Sequence, residues 1–370
     1  MTALPQPILP FIRDEFALDY TRSGLLLSAF SLATGLGQLP GGWLADRIGR
    51  RLLVSVGIVG VALVGILVGL SSTYMMMIFF LVLMGLASGG YHPSAPPMLS
   101  ASVGPTDRGK ALGFHMIGGS ASFFLVPLIA AAISAAWGWR ASFIVLAIPA
   151  IVFGLVLYLL LGWRPVVVKA AAKPDGSNIE MTPAPSNMRR LIAFIVLTTF
   201  TAALGFSTIS FLPLFMVDNF GISREAAAAS LSLIFSAGFW AGPLGGYVSD
   251  RWGQVPLVLA MCFLGGPVIY LLNVLPYGLG FGALLITMGM TAYVRMPASE
   301  AYLVDNTSER RRSTVLGVYY FGTMEGSGVT TPIVGYLIDH FGFYTSFTAV
   351  SAATVAVTLA CALFLRGGKD

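Results

Sequence analysis

Several ionisable side chains stand inside long apolar stretches of the sequence, among them His92, Arg295, Glu300 and Glu325. Ionisable residues are rare and costly in such segments and are functional by default. A guanidinium attracts anionic groups, whereas an imidazole, or a carboxyl group whose pKa is raised by burial, takes up a proton near neutral pH. We expect Arg295 to bind an anionic group and Glu325 or His92 to carry a proton, with Glu300 as a further candidate.

The same residues also have purely structural interpretations. Arg295 and Glu325 could neutralise each other as an ion pair between two helices. His92 and a second histidine, His115, could each be held in place by hydrogen bonds. Glu300 follows Arg295 by five residues, which places the two on different faces of a helix, so a direct pair between them is not expected.

Aromatic residues and prolines accompany these positions. The candidates for lining a binding cavity are Tyr91, His115, Phe124, Tyr319 and Tyr320. Such a lining would favour a hydrophobic ligand. Pro93, followed by Pro96 and Pro97, is expected to break the stretch around His92, and Pro297 to break the stretch that holds Arg295. Breaks at matched places would let half-helices tilt against each other.

The composition shows what kind of chain must position these residues. Of 370 residues, 56% are hydrophobic and 10% charged, and the mean hydropathy is +0.83. Soluble domains carry about 25% charged residues, so a soluble enzyme, a disordered chain and a secreted disulfide scaffold are excluded. Cys262 and Cys361 each lie in an apolar stretch and are expected to be buried thiols. The chain is therefore expected to be an all-α polytopic membrane protein.

Eleven stretches have the length of about 20 residues that crossing a bilayer requires. They are Gly24–Leu44, Leu52–Leu70, Tyr74–Val103, Ala111–Ala136, Ala141–Gly162, Leu191–Val217, Ala226–Val248, Leu257–Leu275, Leu279–Val304, Thr314–Ile338 and Thr345–Leu365. A polar segment, residues 164–190, separates the first five from the last six. We expect an N-terminal half over residues 1–163, a linker over 164–190 and a C-terminal half over 191–370.

The distribution of Lys and Arg orients these spans. If the linker is cytoplasmic and the spans alternate, 16 of the 21 Lys and Arg residues lie on the cytoplasmic side and four on the other side. This asymmetry is the positive-inside pattern, and it accounts for the net charge of +5 without a nucleic-acid partner. A plasma (inner) membrane protein with a cytoplasmic linker and C-terminus is expected.

The two halves repeat each other at a fixed distance of 204 residues. The offset pairs loop, proline and glycine positions from one end of each half to the other: Asp14 with Asp218, Asp46 with Asp250, Pro93 with Pro297, Arg108 with Arg312, and Gly138 with Gly342. By this offset the first half lacks about 13 residues before Met1, so only the outer end of its first span, Ala3–Ile12, is present. A misplaced start codon is the favoured explanation and a natural truncation the second.

One loop carries a recognisable motif. The segment Gly42–Arg51 resembles the signature of the major facilitator superfamily in the loop between spans 2 and 3, and a degenerate copy follows at Gly246–Gly253. The resemblance implies a twelve-span fold of two six-helix halves in a monomer. It also implies a gating motif of Gly42, Asp46, Arg47, Gly49, Arg50 and Arg51, with Asp250 and Arg251 in the copy, in which Asp46 contacts the start of span 11 near residues 313–316.

A weaker resemblance concerns the segment from Tyr91 to Pro93 and the one from Arg108 to Gly119. Both are similar to a subset of bacterial facilitators that includes fosmidomycin-resistance exporters and organic-anion permeases. The antiporter signature of span 5 is not intact, because Val126-Pro127 is followed by Leu128, Ile129 and Ala130. This departure disfavours drug/proton antiport.

The expected function is secondary active transport of a small solute by alternating access, coupled to protons. A drug or metabolite exporter and an organic-anion importer both remain open. The sequence contains no Walker loop, so ATP-driven transport is not expected. Neither a cofactor nor a metal is expected, and the partners are the solute, protons and the bilayer. The alternative is a non-transporting sensor or degenerate copy, and an embedded enzyme is disfavoured.

Overall fold

The computed structural model describes residues 1–104, 108–163, 188–307 and 309–365, which are almost entirely helical. Fourteen α-helices are assigned within these ranges: α1 Leu9–Phe16, α2 Tyr20–Ile48, α3 Arg50–Gly69, α4 Tyr74–Ser88, α5 Tyr91–Ala101, α6 Arg108–Trp137, α7 Trp139–Trp163, α8 Met188–Phe220, α9 Arg224–Ser236, α10 Ala241–Trp252, α11 Gln254–Leu271, α12 Leu279–Asp305, α13 Glu309–Tyr320 and α14 Ser327–Leu365. A 3₁₀ turn, Ala237–Phe239, connects α9 to α10, and a π-helical segment, Phe321–Glu325, connects α13 to α14.

The helices have the lengths that a multi-pass membrane protein requires. Eight segments are long and apolar enough to cross a bilayer, and α9 with α10, which are bent by 43°, would make a ninth. Gly342, with φ 73° and ψ 170°, interrupts α14 and divides it into two spans. α2 adds a helix of 29 residues, so the described residues have room for the eleven predicted spans. The predicted all-α polytopic fold is confirmed, and α1, with eight residues, is too short to cross.

The repeat is visible in the backbone. In the described ranges, six residues with φ between 48° and 92° form three pairs, each 204 residues apart: Ala17 with Gly221, Gly49 with Gly253, and Gly138 with Gly342. A left-handed conformation suits glycine because it has no Cβ. The same turns therefore end the same helices in both halves, which are called the first half (residues 1–163) and the second half (188–365) below.

Close helix crossings repeat in the same way. A Cβ placed on Gly85 would collide with the carbonyl oxygen of Phe30, and one on Gly289 would collide with that of Ile234. Gly289 and Ile234 are the positions 204 residues after Gly85 and Phe30. Small residues let membrane helices approach closely. α4 thus crosses α2 in the first half as α12 crosses α9 in the second.

Of the predicted helix breaks, one lies near Pro93, whereas α5 continues through Pro96 and Pro97. α4 ends at Ser88 and α5 begins at Tyr91, so the break falls just before Pro93, which has no N–H to donate to the carbonyl of Gly89. α12, by contrast, continues without interruption through Pro297, so the expected break there is wrong. Membrane helices absorb a single proline when neighbouring groups satisfy the freed backbone.

Among the described residues, the hydrophobic core consists of two clusters, and only the larger one contains residues of both halves. The larger core cluster combines first-half residues such as Leu26 with second-half residues such as Phe211 and Val334. The smaller cluster, which includes Phe194 and Tyr302, is built from second-half residues alone. The ends of α7 and α8 that flank the linker define a linker end of the bundle, and the shared core lies toward the opposite, far end.

Candidate functional site

Arg295 lies in a cavity inside the second half. The cavity has a volume of about 160 Å³ and is bounded by α8, α9, α11, α12, α13, the π-helical segment and α14. Arg295 Nη1 donates to Thr201 Oγ1 at 2.6 Å and approaches Cys262 Sγ at 3.5 Å. Neither partner carries a formal charge in its usual state, so the guanidinium brings a positive charge into a cavity at the level of the membrane-spanning helices.

Tyr319 and Tyr320, two of the candidate lining residues, also line this cavity. Their rings lie 5.4 Å apart, and Tyr319 is 3% exposed. Tyr320 is hydrogen-bonded to Glu300, the next carboxyl group along α12. The structure therefore groups Arg295, Tyr319 and Tyr320 at one site, with Glu300 behind the second tyrosine.

Glu325 lies outside that group, at the contact between the halves. It is 5% exposed and ends the π-helical segment. Ser31 Oγ donates to Glu325 Oε2 at 2.7 Å, and Gln38 Nε2 lies 3.4 Å from Oε1. Gly35 lies between these two α2 residues, and its missing side chain leaves room for Glu325 and Phe321.

Arg295 and Glu325 do not neutralise each other. Both residues are described, and their hydrogen-bond partners are entirely different. The interpretation of these two residues as an interhelical ion pair is therefore wrong. The reason is the direction of consecutive side chains around the helix axis. Met324 faces the Arg295 cavity, and the next residue, Glu325, faces α2.

A set of charged residues at the far end joins the two halves. Arg13 Nη2 donates to Asp218 Oδ1 at 2.9 Å, and the Tyr20 hydroxyl donates to Asp218 Oδ2 at 2.6 Å. Arg224 Nε lies 3.0 Å from Asp14 Oδ2. Burial alone would lower the pKa of Arg13, but hydrogen bonds and charge from Asp218 and Asp14 raise it.

These far-end contacts obey the repeat. Tyr20 and Arg224 are equivalent positions, as are Asp14 and Asp218, so the contact of Tyr20 with Asp218 is the counterpart of the contact of Arg224 with Asp14. The sequence repeat pairs Asp14 with Asp218 but does not indicate a role for either residue. Asp339 adds a further contact, because its carboxylate accepts from the backbone N–H groups of Tyr20 (2.9 Å) and Thr21 (2.8 Å) at the start of α2.

The loop motif at the linker end is repeated as well. Arg47 stacks on Trp43 at 4.1 Å and Arg251 on Tyr247 at 4.4 Å, both from the guanidinium carbon to the ring centroid. Gly49 and Gly253 have φ of 92° and 87° in the two equivalent turns. The surroundings of Gly42 and the side chains of Asp46 and of residues 309–314 lie outside the described part of the chain, and so does the predicted contact of Asp46.

Arg51, another residue of the loop motif, has its contacts within the first half. Arg51 Nε donates to the Tyr158 carbonyl at 2.9 Å, and its guanidinium lies 4.1 Å from that ring. Arg50 is the first residue of α3, and Asp250 is exposed in the last turn of α10.

The remaining predicted residues are away from Arg295. Tyr91 and His115 stack on each other, with ring centroids 5.9 Å apart, in the first half. The His92 side chain lies outside the described residues. Phe124 packs between the halves instead of lining the cavity, because its carbonyl accepts from Ser232 at 2.6 Å and its ring lies 5.6 Å from Phe239.

Comparison with known proteins agrees with this architecture. A sequence model of one protein family, described as Major Facilitator Superfamily, matches residues 1–294 and 194–369. The hexuronate transporter of Bacillus subtilis (strain 168) is 24% identical, with 96% of this chain and 89% of the relative covered. A multidrug resistance protein of Klebsiella pneumoniae (strain 342) is also 24% identical, with 98% and 90% covered.

A solved structure has the same fold. A bacterial homologue of the human lysosomal transporter Spinster, in an inward-facing and unoccupied conformation, matches with a TM-score of 0.80. The two chains are 17% identical, and the match covers 98% of this chain and 92% of the other. At this identity the likeness concerns the fold alone, and it agrees with the fold expected from the loop motif and the repeat.

Proposed function

The chain belongs to the Major Facilitator Superfamily of multi-pass membrane transporters, and on that premise we propose that it moves a small organic anion by alternating access. The observation that carries the proposal is the environment of Arg295. Its hydrogen bonds go to Thr201 and Cys262, so its charge is not balanced by a contacting carboxylate among the described residues. Arg295 is half-buried at the level of the membrane-spanning helices, where a cation without such a partner is costly unless an anion joins it. A bound substrate anion would supply that partner.

Proton coupling is assigned to Glu325. Its carboxylate accepts a hydrogen bond from Ser31 across the contact between the halves, and Gln38 faces its other oxygen. Uptake of a proton would remove the charge and weaken both contacts, since hydrogen bonds to ionised groups are the stronger ones. Protonation would therefore loosen α2 from the π-helical segment and favour movement of one half against the other. Glu300 and His92 are the other candidate proton carriers.

The far-end contacts support alternation between two closures. Arg13, Tyr20 and Arg224 bridge the halves at that end through Asp218 and Asp14. The motif residues Asp46, Arg47, Arg50 and Arg51 would make the corresponding closure at the linker end. We place the protein in the plasma (inner) membrane as a monomer, with the linker and C-terminus cytoplasmic, because most Lys and Arg residues lie on that side.

A drug or other hydrophobic compound is the second candidate substrate. Aromatic side chains around the cavity, notably Phe206, Phe235 and Tyr293, favour it. The charge of the substrate distinguishes the two candidates, because uptake of an anion requires Arg295, whereas a hydrophobic cation would be repelled by it. A non-transporting protein would show no uptake of either kind of compound.

Uptake into proteoliposomes tests the proposal. Purified protein is reconstituted with an imposed proton gradient, and radiolabelled carboxylates, sulfonates and cationic drugs are offered in turn. We expect wild type to transport an anion. Arg295→Gln should lower the rate of anion uptake at least tenfold, which corresponds to about 1.4 kcal/mol or more. Glu325→Gln should make the uptake rate independent of the proton gradient. Transport of cations that is unchanged in Arg295→Gln would contradict the anion assignment. Equal gradient dependence in wild type and Glu325→Gln would contradict the coupling role.

A further inference from the structure

The lining of the Arg295 cavity changes character along its length. Thr201 on α8, Cys262 on α11 and Arg295 on α12 lie at one level. Toward the far end the same three helices present Ile209, Ile269 and Met288 to the cavity. These residues are seven or eight positions from their polar counterparts, about 10 Å along a helix. The cavity is therefore charged and polar at one end and mostly apolar toward the far end.

The polar end offers one charge. Among the described residues that line the cavity, Arg295 alone is charged. Glu300 stands behind Tyr320, which lines the cavity. When ionised, its carboxylate would oppose a second negative charge on a ligand. A monoanion suits this end better than a dianion.

The threonine hydroxyls of the lining are already engaged. Thr201, Thr291, Thr323 and Thr354 each donate to a carbonyl three or four residues earlier in the chain, at 2.7 to 2.8 Å. A ligand with many hydroxyl groups would find few free donors and would leave its own groups unpaired in an apolar cavity, which is unfavourable. An apolar body would instead gain from contact with Phe206, Phe235 and Met288.

We propose that this cavity binds amphipathic monoanions, in which a single carboxylate or sulfonate meets Arg295 and an apolar body of about 10 Å extends toward the far end. Polyhydroxylated sugar acids are excluded. The inference rests on the proposed transport of an organic anion and specifies its chemical class.

Cys262 provides a binding assay that does not depend on transport. The chain has two cysteines, so Cys361→Ser leaves Cys262 as the sole thiol, 3.5 Å from Arg295 Nη1. A ligand at Arg295 would shield it. The rate of modification by N-ethylmaleimide is measured in detergent with 3-phenylpropionate, 3-phenylpropanol, 3-phenylpropylamine, phenylsuccinate or glucuronate. The melting temperature of wild type is measured with the same compounds.

We expect 3-phenylpropionate to slow modification about tenfold at about ten times its Kd, and to raise the melting temperature. The alcohol, the amine, phenylsuccinate and glucuronate should have little effect. Arg295→Gln in the Cys361→Ser background should abolish the protection. If Cys262 does not react with N-ethylmaleimide, the shifts in melting temperature test the proposal: 3-phenylpropionate should raise the melting temperature of wild type, and the other four compounds should not.

Two contrary results separate the proposals. Protection or stabilisation by glucuronate or phenylsuccinate equal to that by 3-phenylpropionate would overturn the amphipathic monoanion while leaving anion transport intact. An effect of the amine or the alcohol that equals that of the acid and survives Arg295→Gln would overturn both.

Discussion

Ser232 repeats the contact that Ser28 makes, 204 residues earlier in the chain. Each hydroxyl donates to a backbone carbonyl of the opposite half: Ser28 to Gly328, and Ser232 to Phe124 at 2.6 Å. The two acceptors are themselves 204 residues apart. Pro332 has no N–H to give the Gly328 carbonyl, so Ser28 satisfies a group that its own helix leaves unpaired.

Loss of either serine should weaken the contact between the halves. We expect Ser28→Ala and Ser232→Ala each to destabilise the protein by about 1 kcal/mol, the usual scale of one such hydrogen bond. Thermal unfolding in detergent measures the effect. Ser230→Ala is the matched control, because Ser230 lies on the same helix as Ser232 but donates to the Ala226 carbonyl of that helix. Equal losses for Ser230→Ala and Ser232→Ala would show that the contact across the halves contributes nothing.

Gly85 and Gly289 should respond alike to alanine substitution. At both positions a Cβ would collide with a backbone carbonyl of the neighbouring helix, Phe30 or Ile234. Backbone cannot move aside as a side chain can, so the helices must separate. We expect a loss of about 1–3 kcal/mol from each variant, measured as a lower melting temperature. Gly118→Ala is the control: its Cβ would meet open space, so alanine should be neutral or stabilising. A neutral Gly85→Ala with a harmful Gly289→Ala would mean that the two crossings are not equivalent.

The sequence predicts those features of the fold that depend on regular spacing. The offset of 204 residues anticipates the equivalent turns at Gly49 and Gly253, where the loop motif requires a left-handed glycine. Tyr319 and Tyr320 lie at the site of Arg295 in the structure, in keeping with the tendency of apolar helices to place their few polar residues toward the protein interior.

Helix rotation and contacts between distant segments escape prediction. The facing of Glu325 toward Ser31 rather than Arg295 depends on a π-helical turn that no spacing rule reveals. The pairing of Arg13 with Asp218 depends on how two halves meet, and charges near loop ends are equally compatible with solvent exposure. Both features follow from tertiary packing.

Glu15 should make stability depend on pH. Burial alone would raise the pKa of this carboxyl group, but hydrogen bonds from Arg140 and Trp139 and the charge of Arg140 lower it below its ordinary value of 4.5. A lowered pKa means that the contribution to stability is complete above pH 4.5 and disappears as the pH falls through the folded-state value. We expect Glu15→Gln to lower the melting temperature at pH 7 and to match wild type at low pH.

The effect should be small and should require Arg140. Both side chains are partly exposed, at 42% for Glu15 and 33% for Arg140, so the loss should not exceed about 1 kcal/mol. In an Arg140→Gln background the pH-dependent difference between Glu and Gln at position 15 should shrink. A difference that persists at low pH would show that Glu15 acts through packing rather than charge.

Gly35 should be coupled energetically to Glu325. A Cβ on Gly35 would lie 2.7 Å from Glu325 Cγ and 3.0 Å from Phe321 Cε2. Gly35→Ala would thus push the carboxylate away from Ser31 and separate α2 from the π-helical segment, a loss of about 1–3 kcal/mol. Glu325→Ala removes the obstructing atom, so the double variant should unfold at a higher temperature than additivity predicts. Gly317→Ala, where nothing lies within 4 Å of the added Cβ, is the control. Strictly additive effects of Gly35→Ala and Glu325→Ala would mean that the two residues are not in contact. That result would also contradict the role of the Glu325 carboxylate in holding the halves together.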